Sequence, residues 1–543
     1  MNAATREREW RAQGLWQDQS LGQRMAAAAR DHPQTPLHIY SDGGYSVFTL
    51  QQVNQRGKSL AASLAQIGIG KGDVVAVQLP NCIENAVLYQ ATAILGAVLL
   101  PIVHIFGPGE LNFILADSRA KIFVSPDRWR KIDYLERLSK LQPLPDLLAT
   151  IIVGGTPPEG ALSFAELEAA GSKLPAPVLH TDASDRAMLI YTSGTTGSPK
   201  GVIHTSLSLG AELEAQILAN SDLDCWLCPW PSGHIAGALG LLGHALLGRP
   251  MVIMDAWDPN LAAQIIEKWR VGQLSGTPFH LSGLMKAAKE TNHSLKSLKT
   301  FVIGATSVPE SLIQESEEAG IHCCRCYGST EVPTVSQSDR SDPAAKRLLT
   351  DGSPNAGCEI RIVDDFGMDL PLGNEGELAV RGPEMFVGYT DSGLDTSAFL
   401  PGRWFLTGDI GRLDEDGYVT ITDRKKDIII RGGENISSRE VEDITRQIAG
   451  VADVAAIGVR DERLGERVCV IIVPEDEPPN LQTIANAFSE AGVARQKTPE
   501  AIFFVNELHR SPTGKVMKVE LRKLAASGKL SSTPAGKPSD ANG

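Results

Sequence analysis

The chain has 543 residues, too many for one ordinary hydrophobic core, so a large multi-lobed domain plus at least one smaller one is expected. Apolar residues make up 42% and charged ones 21%, the balance of a soluble globular protein; the net charge of −14 argues against nucleic acid or an anionic membrane as the main partner. The opening stretch 1–16 is charged and lacks an apolar centre, and the most apolar runs, 91–103 and 235–254, are interrupted by Pro101 and by His244, Arg249 and Pro250. No secretory signal and no integral membrane segment is therefore expected, which makes the cytoplasm the default location.

In chain order, strands are predicted at 36–40 and 45–48 around a Ser-Asp-Gly-Gly hairpin signal. Thr49-Leu-Gln-Gln52 has the spacing of a capping box and opens a helix with Val53, Leu60 and Leu64 on one face. A strand at 74–79, a helix near 83–95, a strand at 98–102, a helix near 110–117 and a strand at 121–125 then alternate, the pattern of a layered α/β lobe with a largely parallel sheet. A second alternating set has helices near 207–218 and 261–270, strands at 251–254 and 300–303, and an extended segment at 321–326. From 352 to about 422 short strands (359–363, 376–381, 417–421) are separated by Gly, Pro and Asp turns, which suggests a small barrel or sandwich. Past Asp423 a compact α+β domain of about a hundred residues follows, an ordinary domain size. The stretch after Ala525 is rich in Ser, Gly, Pro and Lys and is expected to be disordered.

Tyr191-Thr-Ser-Gly-Thr-Thr-Gly-Ser-Pro-Lys-Gly201 carries the clearest chemical signal. Its glycines, including Gly194 and Gly197, permit sharp turns and close approach, so that several N–H groups can face one anion. The hydroxyls of Thr192, Ser193, Thr195 and Thr196 add donors, and Lys200 adds a compact positive charge suited to phosphate. The spacing is not that of the common Gly-x-x-x-x-Gly-Lys-Ser/Thr loop. Among the 8 cysteines, Cys225/Cys228 and Cys323/Cys326 have a spacing seen in zinc sites, but both pairs lie in strand-like text. Residues three apart on a strand face opposite sides, so packing as reduced thiols is the expectation.

Four further motifs follow in order: Tyr327-Gly-Ser-Thr-Glu331, Trp404-Phe-Leu-Thr-Gly-Asp409, Asp423-Arg-Lys-Lys-Asp427 leading to Arg431-Gly-Gly-Glu-Asn435, and Ser511-Pro-Thr-Gly-Lys515. With the glycine-rich loop they resemble, over residues 35 to 523, the adenylate-forming superfamily, most of all its medium-chain and alicyclic-acid CoA ligases. The resemblance implies an α/β multidomain fold: a large N-terminal domain (1–423) of two α/β lobes plus a β-barrel, a hinge at 424–426, and a small mobile α+β C-terminal domain (427–525), with 526–543 as a tail. It implies ATP-dependent activation of a carboxylate to an acyl-adenylate, with release of pyrophosphate, then displacement of AMP by a thiol.

By the same resemblance, Thr192 to Lys200 wraps the β- and γ-phosphates, Glu331 holds Mg²⁺ and Thr330 meets the α-phosphate. Asp409 takes the ribose hydroxyls with help from Arg424. Tyr327, Gly328 and the segment Gly304, Ala305, Thr306 flank the adenine. Lys515 bridges the carboxylate and α-phosphate in the adenylation step. Lys426 is the hinge residue, and Gly432, Gly433 and Glu434 serve the thiol half-reaction. An acyl pocket is implied from Trp230, His234, Ile235, Ala236, Gly304, Cys326, Gly328 and Thr334. These positions are mostly small or apolar and include no Lys or Arg, so the acid expected is an apolar monocarboxylate, medium-chain or cyclic. His234 either gates that pocket or packs beside it. No carrier domain follows Lys515 in this sequence, so coenzyme A is the expected acceptor. The alternative is an acyl-AMP ligase serving a separate carrier protein, and a homodimer is left open.

Overall fold

The computed structural model describes residues 3–192, 199–219, 225–306, 308–475, 477–511 and 514–530. Ser193, Gly194, Thr195, Thr196 and Gly197 of the glycine-rich loop lie outside these residues, as does the tail from 531. The helix Lys518–Ala526 and Leu530, which packs against a small-domain core, precede that tail.

The chain divides into two compact units, Met1–Ile360 with Val380–Phe405, and Arg361–Ala379 with Leu406–Gly543. Unit 1 is built on two large sheets, one of nine and one of eight strands among the described residues. In the eight-stranded sheet, Val74–Val77, Val98–Pro101, Ile122–Pro126 and Ala149–Val153 run parallel, as expected from strands alternating with helices. Their centres are fully apolar because helices cover them. The nine-stranded sheet has a parallel centre of Trp226–Cys228, Met251–Met254, Gln273–Gly276, Thr300–Ile303 and His322–Tyr327. The predicted hairpin, Pro36–Ser41 and Gly44–Thr49, joins this second sheet through parallel pairing of Leu37 with Met251. A strand that early therefore belongs to the lobe completed more than 200 residues later.

The predicted capping box is present: Thr49 Oγ1 accepts from the N–H of Gln52, whose side chain accepts from the Thr49 N–H, at the start of Leu50–Gln66. Helices at Leu21–Asp31, Ile235–Leu247 and Pro278–Thr291 were not anticipated. Ile235–Leu247 is apolar almost all round, so it carries little 3.6-residue periodicity to read. The first cysteine pair straddles the nine-stranded sheet: Cys225 lies in one hydrophobic core and Cys228 in another. Burial pushes the Cys228 thiol up to about 11.

In unit 2, Ile429–Arg431, Glu434–Ile436, Val451–Asp461, Gly465–Pro474 and Ala501–Phe504 form one sheet with an apolar cluster on each face. Helices Ser438–Arg446 and Leu481–Glu490 supply Val441, Ile484 and Phe488 to one cluster; Lys518–Ala526 supplies Leu521 to the other. Strands Trp404–Leu413 and Val419–Arg424 pair antiparallel in the segment expected to be strand-rich. No helix among the described residues is long and apolar enough to cross a membrane.

One buried side chain fixes the loop that follows Trp226–Cys228. Asn81 Nδ2 donates to the carbonyls of Trp230 (2.9 Å) and Met254 (3.0 Å), and its Oδ1 accepts from Ser232 N (2.8 Å). Asn81→Ala leaves three buried partners without water and should destabilise unit 1 by roughly 3 kcal/mol, read as a lowered midpoint in urea denaturation.

Candidate active site

The carboxyl ends of parallel strands are where α/β sheets bind ligands, because the loops there are free to shape a crevice. Trp230, Gly304 and Gly328 all follow such ends in the nine-stranded sheet. Gly304 packs directly on Cys326: a Cβ there would sit 2.6 Å from the Cys326 carbonyl oxygen and 2.7 Å from its Sγ. Ala305 follows in a left-handed backbone conformation (φ 65) and, with Thr306, is exposed. A non-glycine residue held this way costs about 1 kcal/mol or more, a kind of local strain that concentrates at ligand sites. Gly328 is equally constrained, since a Cβ would lie 1.9 Å from the Pro333 carbonyl oxygen.

The glycine-rich loop connects two antiparallel strands, Arg186–Thr192 and Lys200–Thr205, with Thr192 opposite Lys200. Lys200 therefore stands on a strand rather than in the loop's apex. That strand also organises the Tyr327–Glu331 motif. Four residues beyond Lys200, buried His204 places Nε2 2.8 Å from the Thr330 carbonyl oxygen and Nδ1 3.1 Å from Ser208 Oγ. Burial lowers His204 to about 4, so the imidazole is neutral and donates from Nε2. On the strand's other edge, Gly388–Tyr389 pairs with Val202 and Ile203. The same stretch donates Phe386 N to the Glu331 carbonyl (2.8 Å) and Tyr389 Oη to Glu331 Oε1 (2.8 Å). Lys200 Nζ lies 5.5 Å from the Tyr389 ring centroid. Lys200, Thr330 and Glu331, far apart in sequence, thus share one scaffold, while His204 and Tyr389 were not anticipated. Only the alternation of the strand hinted at His204, and nothing near position 389 hinted at its partner.

Around the assigned acyl pocket, the Trp230 indole stacks on His234 (5.4 Å between centroids, 16°) and donates to Ser275 Oγ at 3.0 Å. His234 also caps Ile235–Leu247, its Nδ1 accepting from Ala236 N at 3.2 Å. Ile235 is buried in the larger core, with half-buried Ala236 beside it. Thr334 Oγ1 donates to Oε1 of Glu212 at 2.6 Å. Burial first, then Asp351 and Glu212, pushes the Cys326 thiol up to about 12. Glu212 is buried on Ser206–Ala219 between buried Ala211 and Leu213, a carboxylate among apolar positions whose oddity is legible in the sequence.

Unit 2 gathers its own set. Asp409 and Arg424 face each other across paired strands, Nε to Oδ1 3.2 Å, and Asp409 is buried. Lys515 N donates to Ser511 Oγ (3.2 Å), and Gly514 N donates to the Ser511 carbonyl (2.8 Å). The half-buried Lys515 ammonium is pushed down to about 7, by burial first and Arg424 second, with Asp409 opposing. Lys426 is lowered too, by burial and then Arg424. Asp409, Arg424, Lys426 and Lys515 therefore form one electrostatic group. Gly432 and Gly433 form the two-residue turn between Ile429–Arg431 and Glu434–Ile436, with φ 60 and 89, and Glu434 beside them is exposed. Two successive positive φ values define a type I′ hairpin turn, which glycine adopts without strain.

These arrangements agree with the kinship of the chain. Residues 25–390 match the family described as AMP-binding enzyme, and residues 440–515 match the AMP-binding enzyme C-terminal domain. A medium-chain fatty-acid–CoA ligase of Escherichia coli (strain K12) is 35% identical over 95% of this chain and 92% of its own length. An indoleacetate–CoA ligase of Aromatoleum aromaticum is 32% identical over 86% of this chain and 91% of its own. The crystal structure of ATP-bound MatB from Rhodopseudomonas palustris superposes with a TM-score of 0.82 at 26% identity, covering 92% of this chain and 98% of that one. The chain belongs to the AMP-binding enzyme family of adenylate-forming enzymes. Within it, the protein is an AMP-forming acid–thiol ligase that makes an acyl-adenylate from ATP and a carboxylate and then a CoA thioester.

The lowered Lys515 sets a pH dependence. Burial favours the neutral amine, so the cation is the form lost as pH rises through about 7. If adenylation uses the cation, kcat/KM for acid-dependent pyrophosphate exchange should fall about tenfold per pH unit above that point, because this ratio reports the free enzyme. Lys515→Arg, always charged, should flatten the descending limb of the profile measured from pH 6 to 9.

Proposed function

We propose that the acid is an apolar monocarboxylate, medium-chain or cyclic, activated in the cytoplasm with Mg²⁺ as the accompanying ion. The observation that carries the acid class is Glu212. A buried carboxylate tied to Thr334, whose charge reaches Cys326, would face the far end of a dicarboxylic acid and repel it. The positions assigned to the pocket contain no lysine or arginine to offset that repulsion. The names of the medium-chain fatty-acid and indoleacetate ligases support the same class.

Glu331 suits Mg²⁺ by its chemistry: a single hard carboxylate is the usual protein share where phosphates supply other oxygens. Bound there, the ion would neutralise charge on the triphosphate. Lys200 holds the β- and γ-phosphates in line, and Thr330 donates to the α-phosphate. Ala305, Thr306 and Tyr327 seat the adenine, and Asp409 accepts from the ribose hydroxyls with Arg424 fixing its carboxylate. The Lys515 ammonium screens the incoming carboxylate from the α-phosphate as charge builds on the phosphoryl oxygens. Rotation about Lys426 then exchanges Lys515 for the Gly432–Gly433 turn, which serves attack by the CoA thiol on the acyl carbon, with AMP as leaving group. Two reactions that need different groups at one centre give a mechanical reason for a separate small domain.

Lys515→Ala should lower acid-dependent pyrophosphate exchange at least about 100-fold while thioester formation from supplied acyl-adenylate largely survives; equal loss of both would refute the division of labour. A panel of octanoate, cyclohexanecarboxylate, arylacetates and matched dicarboxylic acids, assayed with ATP, Mg²⁺ and CoA, tests the acid class. Dicarboxylates should be the poorest substrates, and Glu212→Gln should narrow the gap. Pyrophosphate release without thioester would point to a carrier protein as acceptor instead.

A further inference from the structure

We propose that Tyr389 is a positioning residue for the nucleotide site, its hydroxyl holding the Glu331 carboxylate in the orientation that receives the ion–triphosphate complex. The inference rests on the assignment of Glu331 made above. Tyr389 is 7% exposed and is held on several sides. Its backbone pairs with Val202, its N–H donates to Asp395 Oδ1 at 3.0 Å, and its ring meets Phe386 edge-on at 4.9 Å. A side chain so confined has few rotamers open to it, so its hydroxyl is a fixed donor rather than a searching one. That donor meets Glu331 Oε1 at 2.8 Å. A second neighbour is Lys200, whose Nζ is 5.5 Å from the same ring centroid. One side chain thus touches both groups assigned to the triphosphate, the carboxylate through its hydroxyl and the cation through its ring.

The test uses the full chain, Mn²⁺ as a paramagnetic probe and a non-hydrolysable ATP analogue. Affinity of Mn²⁺ for the enzyme–nucleotide complex is measured by electron paramagnetic resonance, beside thermal unfolding. Tyr389→Phe, which keeps the ring and removes the donor, should weaken Mn²⁺ binding about tenfold, the scale of a hydrogen bond to a charged acceptor, with an unfolding midpoint near that of the parent. In a Glu331→Gln background the same substitution should add nothing, because the group it positions is gone. Unchanged Mn²⁺ affinity in Tyr389→Phe overturns the proposal, and so does an equal loss in both backgrounds, which marks a structural role. If Glu331→Gln alone leaves Mn²⁺ affinity intact, the assignment of Glu331 falls and takes the proposal with it. Loss in Glu331→Gln with none in Tyr389→Phe overturns the proposal alone.

Discussion

The hydrogen bond from neutral His204 to the Thr330 carbonyl ties a strand of the eight-stranded sheet to a loop leaving the nine-stranded one, two sheets that already share a hydrophobic core. The nucleotide site proposed above would draw on both: the strands flanking the glycine-rich run belong to the eight-stranded sheet, and the Tyr327–Glu331 loop leaves the nine-stranded one. Unless the two are fixed to each other within a few tenths of an ångström, donors placed on each cannot act together on one phosphate chain. The strand Lys200–Thr205 does this fixing from both edges and its end. It pairs with Arg186–Thr192 on one side and Gly388–Tyr389 on the other, while His204 reaches across to the second sheet. Burial matters here as well as geometry. A protonated His204 would place an unsatisfied cation in the interior, and the low value near 4 keeps it a neutral donor through the physiological range.

Much of this was legible in the residues because local signals are strong where the chain turns or meets an anion. The capping box at Thr49 and the Gly432–Gly433 pair each have a backbone reason that can be read within a few positions. The alternation of strands and helices also anticipated parallel sheets. What stayed hidden depends on partners distant in sequence. The hairpin at Pro36–Ser41 contains nothing to say that its neighbour is Met251–Met254, because pairing is decided by which apolar faces are left to cover. Tyr389 lies 58 residues from Glu331, and an isolated tyrosine in a short strand is ordinary text. Helices such as Ile235–Leu247 escaped because burial on every side erases the periodicity that marks an amphipathic helix.

Unit 2 shows a different economy of charge. Arg424, Lys426 and Lys515 gather near Asp409 and Asp427, and burial first, then Arg424, makes the two lysines easier to deprotonate than they would be alone. The glycine turn at Gly432–Gly433 adds a contrasting element, an exposed hairpin tip whose shape is set by backbone conformation rather than by packing.

The cysteines have a use beyond filling space. Cys228 sits in the larger core of unit 1, Cys225 and Cys323 in its second core, and Cys469 within the sheet of unit 2. All are buried, and burial holds Cys228, Cys323 and Cys469 above the ordinary thiol range, so the reactive thiolate is scarce while the native packing lasts. Each becomes a clock for the opening of its own core, in which the rate of alkylation counts how often that region breathes and mass spectrometry reads the three cores separately from one sample.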